Sequence, residues 1–329
     1  MSKKRIAING FGRIGRLSFR LLMERKEVEV VGINDLTDVN TLAHLLKYDS
    51  VHGKFNSDVK VVGKNLMVHG KVIKVTGERN PSLLPWDELK VDVVIESTGA
   101  FSSKEAASAH LDAGAKKVVI SSPAKGDLKT IVLGVNDEIL EDSDLIVSNA
   151  SCTTNCLAPM VKVMDDSFGI ERGFITTVHA YTADQNLQDS PHPDLRRARA
   201  AALNMIPTST GAAVAVGLVL PHLAGKLDGV AVRVPTPTGS ITDLTVVLKQ
   251  DVTVEQVNAA IKEAAEGVMK GVMSYSTEPL VSSDIVGDPH SCIFDSDLTR
   301  CSKNVVKMFG WYDNEAGYAN RVVDLVERL

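Results

Sequence analysis

At 329 residues the chain is long enough for two domains of ordinary size, about 100–200 residues each. Apolar residues at 44% against 23% charged exclude wholesale disorder, and aromatics at only 5% make the expected core mainly aliphatic. With 36 Lys plus Arg against 41 Asp plus Glu, the net charge of −5 argues against general affinity for nucleic acid or anionic membrane; an anionic substrate must be held by a local cluster of cations and backbone N–H groups.

Met1-Ser-Lys-Lys-Arg is basic, but only Ile6-Ala-Ile8 follows before Asn9 and Gly10, too short for the core of a signal peptide. Residues 5–9 read as a strand and 13–24 as a helix with Ile14, Leu17, Leu21 and Leu22 on one face. Further strands are expected at 29–33, 91–95, 117–120, 131–133 and 145–147, with a helix at 104–113 ending at Gly114. This β-α-β alternation predicts a mostly parallel sheet with helices on both faces. Residues 58–76, with Val59, Val61, Val62, Met67, Val72, Ile73 and Val75 among lysines and glycines, look like hairpins inserted into that scheme. Beyond residue 150 the expected strands (174–179, 230–234, 241–248, 304–311) are longer and Thr-rich, which suits a mixed or antiparallel sheet. Helices are expected at 254–265 and 316–329. Residues 180–205, containing Pro191 and Pro193, form the longest irregular segment and are marked as functional for that reason. The longest apolar stretch, Gly211 to Leu220, stops at Pro221, short of the ~18 residues a membrane span needs. Four cysteines in so long a chain make no disulfide framework, and a cytoplasmic enzyme is expected.

Gly10-Phe-Gly12-Arg-Ile-Gly15 is a G-x-G-x-x-G between an expected strand and an expected helix. Its glycines permit a tight turn, close approach of backbone to a pyrophosphate, and packing of helix on strand. The anion then sits where unpaired N–H groups and the helix dipole favour it. The second strand ends at Asn34-Asp35, close to the ~20-residue spacing of the acid that binds ribose hydroxyls. A dinucleotide site follows, and Asp35 favours NAD because its carboxylate repels the extra phosphate of NADP.

Ser151-Cys152-Thr-Thr-Asn-Cys156 follows the 145–147 strand and precedes a helical pattern of Leu157, Met160, Val161 and Met164. Cys152 therefore falls in a first helical turn, where N-terminal N–H groups stabilise a thiolate. Pro159 within the pattern is expected to kink the helix. Cys156, Cys292 and Cys301 read as small buried hydrophobes. A catalytic thiol needs a base, and spacing alone does not choose among eight histidines; His179 is favoured because it closes a strand and opens the long polar loop.

Ser148-Asn-Ala-Ser-Cys-Thr-Thr-Asn-Cys-Leu-Ala-Pro159 resembles the active-site segment of phosphorylating glyceraldehyde-3-phosphate dehydrogenases. The resemblance extends through the 7–16 segment, Glu96-Ser-Thr-Gly99, His179-Ala-Tyr-Thr182, Asp194-Leu-Arg-Arg-Ala-Arg199, Pro207 to Ala213, Arg233-Val-Pro-Thr236 and Trp311-Tyr-Asp-Asn-Glu315. It implies an α/β fold: a Rossmann-type parallel-sheet domain (1–150 plus 314–329) and an α+β catalytic domain (151–313) with a mixed or antiparallel sheet. It implies Cys152 as nucleophile and His179 as general base. NAD is then surrounded by Asn9, Gly10, Gly12, Arg13, Ile14, Gly15, Asp35, Arg79, Ser97, Thr98 and Ser121, with Asn314 on the nicotinamide carboxamide. Thr182 and Arg233 bind the substrate phosphate, and Ser151, Thr153, Arg197, Thr210 and Gly211 complete two anion sites. Arg196 and Arg199 are left to the surface. The implied reaction converts glyceraldehyde 3-phosphate, NAD and inorganic phosphate to an acyl phosphate, in a homotetramer with neither nucleic acid nor membrane as primary partner. A sister activity on erythrose 4-phosphate, which yields the acid, and a non-catalytic RNA-binding or adhesion role are the alternatives. The chain departs from the family pattern at Val214 (often Lys), Asp137 (usually His), Ala316 (usually Met) and Ser190 (often Leu in NAD-specific members). Ser190 lies in a loop to which cofactor choice is sensitive.

Overall fold

The structure is a computed structural model that describes residues 3–329; Met1 and Ser2 of the basic N-terminal run lie outside the described residues. The chain divides into two compact units. One runs to Ile131 and takes in Glu138–Ala150 and Ala319–Leu329; the other comprises Val132–Asp137 and Ser151–Tyr318.

The first unit contains β1 (Lys4–Asn9), α1 (Arg13–Leu22), β2 (Val28–Asn34), α2 (Val39–Lys47), β3 (Val59–Val62), β4 (Asn65–Val68), β5 (Lys71–Thr76), β6 (Val93–Glu96), α3 (Lys104–Ala107), α4 (Ala109–Asp112), β7 (Lys117–Ile120), β8 (Lys129–Thr130) and β9 (Ile146–Ser148). Among the described residues these strands make a nine-stranded sheet in the order β3-β4-β5-β2-β1-β6-β7-β9-β8. From β5 to β8 neighbouring strands run parallel, while β3, β4 and β5 form the expected antiparallel insertion. Every residue of β6 and β9 is buried, as strands covered on both faces require. One side of the sheet packs Ala7, Val94, Val118 and Ile146 around the fully buried Trp86.

Two local expectations change. Residues 131–133 are buried but are not a strand: the ladder with β9 ends after Thr130, Asn136 Oδ1 takes the Val132 N–H, and Gly134 turns the chain at φ +78°. The expected 104–113 helix is two short pieces that meet at Ser108 and end before Gly114, whose φ of +98° only glycine adopts freely.

The second unit contains α5 (Cys152–Phe168), β10 (Ile170–Ala180), β11 (Ile206–Ser209), α6 (Ala212–Val219), β12 (Leu227–Val234), β13 (Ser240–Leu248), α7 (Val254–Glu266), β14 (Met273–Ser276), β15 (Cys292–Ser302) and β16 (Val305–Tyr312). Helix α8 (Ala316–Arg328) follows, and from Ala319 onward it belongs to the first unit. The described strands form a mixed seven-stranded sheet, β11-β12-β10-β13-β16-β15-β14. Burial alternates along β13 residue by residue, the mark of a sheet with one covered face. Helices α5, α6 and α7 pack on that sheet. Helix α5 runs unbroken through Pro159, in a stretch where Thr153 to Val161 are all buried, although the missing N–H removes one helical hydrogen bond.

The units differ from the expected division at residues 132–137 and 314–318, which both fall in the second unit. Gly134 lies against Met269 and Val272, Asn314 Oδ1 accepts the Ser240 hydroxyl at 2.9 Å, and any side chain at Gly317 would strike the His290 carbonyl. Among the described residues no helix is long and apolar enough to cross a membrane.

Candidate active site

In the first unit the glycine turn does what its spacing requires. Gly10 has φ +90°, and a Cβ there would sit 2.6 Å from the Thr98 nitrogen. A Cβ on Gly15 would lie 2.1 Å from the Gly10 carbonyl oxygen, so α1 can close on the turn only without one. Gly12 is the N-cap of α1, has no side-chain cap bond, and faces open space. The first-turn N–H groups are thus left for an anion. Asp35 closes the end of β2 by accepting the Phe11 N–H (2.8 Å) on one oxygen and the Thr37 N–H (2.9 Å) on the other.

A cavity of about 470 Å³ opens over this turn, lined by Asn9, Gly10, Gly12, Asp35, Arg79, Ser97 and Thr98 among the expected residues. Asn34, Leu36, Glu78, Ala100 and Phe101 also line it, and nothing local in the sequence marks the last three. Arg13, Ile14, Gly15 and Ser121 do not. Arg13 is clamped in a bidentate ion pair with Asp49, whose carboxyl is held down to about 2: burial opposes the shift, but Arg13 and the His52 and Val51 N–H groups outweigh it. The Arg13 guanidinium is therefore spoken for, and Ser121 donates its hydroxyl to the Glu96 carbonyl.

Beneath the cavity floor lies a buried polar network that includes a histidine the sequence left unassigned. Trp86 Nε1 donates to His110 Nδ1 (3.0 Å), so Nε2 carries the ring hydrogen and meets Glu96 Oε2 at 2.9 Å. The same carboxylate accepts Asn9 Nδ2 (2.6 Å), the Thr98 N–H (2.8 Å) and the Thr98 hydroxyl (2.5 Å). Asn9 in turn accepts from Asn34 Nδ2 at 2.7 Å. One fully buried carboxylate thereby fixes three cavity-lining residues.

In the second unit Cys152 is the first residue of α5. Ser151 caps the helix by accepting the Thr154 N–H at 3.0 Å, and Ala150, with φ +57°, turns the chain into it. Cys152 Sγ lies 3.5 Å from His179 Nε2. His179 Nδ1 sits 2.6 Å from the Ala180 carbonyl and must donate to it, which leaves the Nε2 lone pair facing sulfur. Tyr312, absent from the sequence reading except as part of a motif, bridges Thr153 Oγ1 (2.9 Å) and Thr177 Oγ1 (2.8 Å) and sets its ring edge-on to His179. The Thr153 hydroxyl therefore points into the core, against the expectation that it faces an anion.

Burial pushes the Cys152 thiol up to about 11, against the pull of Arg233 and of Thr153 and the helix-start N–H groups. Burial, reinforced by Arg233, pushes the His179 imidazole down to about 4. Burial thus favours the neutral form of each group, while Arg233 and the helix-start N–H groups favour the thiolate. Cys152 keeps part of its surface accessible, while Cys156 and Cys292 are buried and Cys301 is half-buried; all four are free.

Of the expected anion residues, Arg233, Thr182 and Arg197 lie on the His179 side of this pair. Strand β12 places Arg233 directly across from His179, and Arg233 Nη1 donates to Thr182 Oγ1 (2.5 Å) and Gln185 Oε1 (3.3 Å). Arg197 points inward, donating to Thr208 Oγ1 (3.0 Å) and the Ser209 carbonyl (3.3 Å); Arg196 and Arg199 are exposed. Thr210 and Gly211 follow β11 into the start of α6, where Gly211 is an N-cap without a side-chain bond. Arg233 Nε and Gln185 Nε2 are buried donors with no partner. Val214 and Ser190 are exposed, Asp137 accepts the Gly134 N–H, and Ala316 starts α8. Asn314 Oδ1 is taken by Ser240, which leaves its NH2 as the end on offer.

Two family models match the chain. Residues 4–104 match the glyceraldehyde 3-phosphate dehydrogenase NAD binding domain, and residues 151–314 match the C-terminal domain of the same family. The glyceraldehyde-3-phosphate dehydrogenase of Mycobacterium avium is 60% identical over 329 residues, covering 98% of this chain and 97% of the relative. Glyceraldehyde-3-phosphate dehydrogenase 2 of Streptomyces arenae is 58% identical over 323 residues, and the glyceraldehyde-3-phosphate dehydrogenase of Mycolicibacterium smegmatis is 57% identical over 330, each with the same coverage.

Proposed function

The chain belongs to the glyceraldehyde 3-phosphate dehydrogenase family, and from that premise we propose that it oxidises and phosphorylates D-glyceraldehyde 3-phosphate, with NAD, through a covalent intermediate on Cys152. The observation that carries this reading is Cys152 Sγ at 3.5 Å from a His179 Nε2 whose tautomer is set by the Ala180 carbonyl.

Sulfur attacks the aldehyde carbon as its proton passes to His179 Nε2, and the negative charge develops on the carbonyl oxygen. N–H groups at the start of α5 stabilise that oxygen, and the imidazolium returns a proton to it, giving a hemithioacetal. His179, neutral again, then withdraws the hydroxyl proton, a general-base step worth typically ~10²–10⁴-fold. Bound NAD supplies the hydride acceptor. The product on Cys152 is a thioester, which keeps the energy of oxidation in a reactive acyl group. Inorganic phosphate attacks its carbon, the acyl–sulfur bond breaks, and Cys152 recovers its proton from His179 as the acyl phosphate leaves.

The first unit holds NAD. Asn9, Gly10, Gly12, Asp35, Arg79, Ser97 and Thr98 line a cavity whose glycine floor a Cβ would fill. Arg13, Ile14 and Gly15 contribute backbone at the start of α1, and Ser121 acts through the Glu96 carbonyl. Asn314 offers its NH2 to the carboxamide. In the second unit Thr182 and Arg233 take the substrate phosphate, with Arg197, Ser151, Thr210, Gly211 and the Thr153 backbone N–H forming the remaining anion contacts. The unpartnered donors of Arg233 and Gln185 support an anion there. Leu187, Leu195, Leu203 and Met205, each more than three-quarters exposed, support further copies of the chain covering this unit in a homotetramer. The setting is glycolysis in the cytoplasm. The test is NADH formation from glyceraldehyde 3-phosphate: it should require inorganic phosphate or arsenate, whereas phosphate-independent release of the acid would favour the erythrose-4-phosphate type of activity.

A further inference from the structure

Thr182, Arg197 and Arg233 converge on one side chain that no motif singles out. Asp184 accepts the Thr182 hydroxyl on Oδ1 and Arg197 Nη1 on Oδ2 at 2.5 Å, and its Oδ1 lies 3.6 Å from Arg233 Nη1. These are the groups assigned above to the substrate phosphate. The carboxylate side chain is 42% exposed while the two arginine side chains are 19% and 13% exposed, so the anion sits on the solvent side of the cations it bridges. Its charge is secure: burial raises its pKa, but the Thr182 hydroxyl and the two arginines outweigh that and hold it below the ordinary carboxylate value. Two oxygens do not satisfy the pocket, however, because Arg233 Nε and Gln185 Nε2 remain buried without partners.

We infer that Asp184 is an internal counter-anion of the phosphate pocket, exchanged for the incoming phosphoryl group. The inference rests on the proposed role of Arg233, Thr182 and Arg197. A tethered carboxylate is already at high effective concentration, and a free monoanion brings no greater charge, so it competes poorly. A phosphoryl dianion brings twice the charge and a third oxygen for the donors that Asp184 leaves unpaired. With Asp184 in place, two guanidinium charges are partly neutralised and remain ordered before substrate arrives.

The experiment is competitive inhibition of NADH formation by nitrate and by sulfate at constant ionic strength, in the parent enzyme, Asp184→Asn and Asp184→Glu. Asp184→Asn should lower the nitrate inhibition constant about fivefold or more, from removal of one like-charge contact at near-aqueous screening, and lower the sulfate constant by at least as much. Asp184→Glu, which keeps the charge, should stay near the parent value. A nitrate constant that is unchanged or higher in Asp184→Asn overturns the inference, as does an equal drop in Asp184→Glu. Arg233→Gln separates this from failure of the underlying reading: it should raise the KM of glyceraldehyde 3-phosphate relative to unphosphorylated glyceraldehyde. If that ratio does not move, the phosphate assignment itself is wrong.

Discussion

Arg233 stands opposite His179 in the parallel pairing of β10 with β12, so one rung of the sheet joins the anion pocket to the base. The guanidinium adds to burial in keeping the imidazole unprotonated, and it also draws the neighbouring thiol toward ionisation. One cation thus favours both the free base before the reaction and the negative sulfur during it. Arg233→Lys keeps the charge but loses the planar guanidinium whose Nη1 reaches both Thr182 and Gln185.

The neutral, buried His179 makes a pH-dependent contribution to stability. Its folded pKa, about 4, is below the ordinary 6.5, so below pH 6.5 the unfolded chain takes up a proton that the native site refuses. The stabilisation present above pH 6.5 is lost as pH falls toward 4. Between pH 8 and pH 5 the loss is about 2 kcal/mol, from about 1.5 units at about 1.36 kcal/mol each. Denaturant unfolding at both pH values should show His179→Asn losing about that much less stability than the parent on acidification. Parallel losses would mean that the resting imidazole is already charged.

Glu96 accepts four hydrogen bonds around Asn9, Thr98 and His110. An amide at this position sets a donor against donors, with a penalty of about 1–3 kcal/mol per unsatisfied buried group. Glu96→Gln should raise the KM for NAD about tenfold or more and leave the KM for glyceraldehyde 3-phosphate close to the parent value. Steady-state kinetics with each substrate varied in turn checks this. Equal changes in both constants would point to general loss of structure.

Asp35 presents its carboxylate at the cavity wall with one N–H on each oxygen. Asp35→Asn keeps its shape and removes the charge that opposes an added phosphate. The ratio of kcat/KM for NADP to that for NAD should rise about tenfold, roughly the effect of 1.4 kcal/mol. An unchanged ratio would assign cofactor choice to other residues, with Ser190 the first to substitute.

Features enforced within a few residues were legible in the sequence. Gly10 and Gly15 are read from a turn that admits no Cβ, Cys152 from its place between a strand and the first turn of a helical pattern, and the parallel strands from short aliphatic runs. Features decided by register between distant segments were not. His179 is favoured among eight histidines only by its place between a strand and a polar loop, and the resemblance is needed to pair it with Cys152, because their approach depends on how α5 packs against β10. His110 gave no local sign of its place between Trp86 and Glu96. Residues 131–133 have the composition of a strand but lack a continued partner, and Pro159 sits in a helix whose burial overrides the local cost. Asp184 meets Arg197 from 13 residues away and Tyr312 meets Thr153 from 159, pairings beyond the reach of spacing.

The most direct measurement is a single turnover without phosphate. Enzyme mixed with NAD and glyceraldehyde 3-phosphate, quenched in acid and digested, should release about one NADH per chain. Peptide mass spectrometry should find the acyl group on Cys152 alone, and added phosphate should remove it. An acyl group on Cys156, or turnover that persists in Cys152→Ser, would contradict the covalent mechanism.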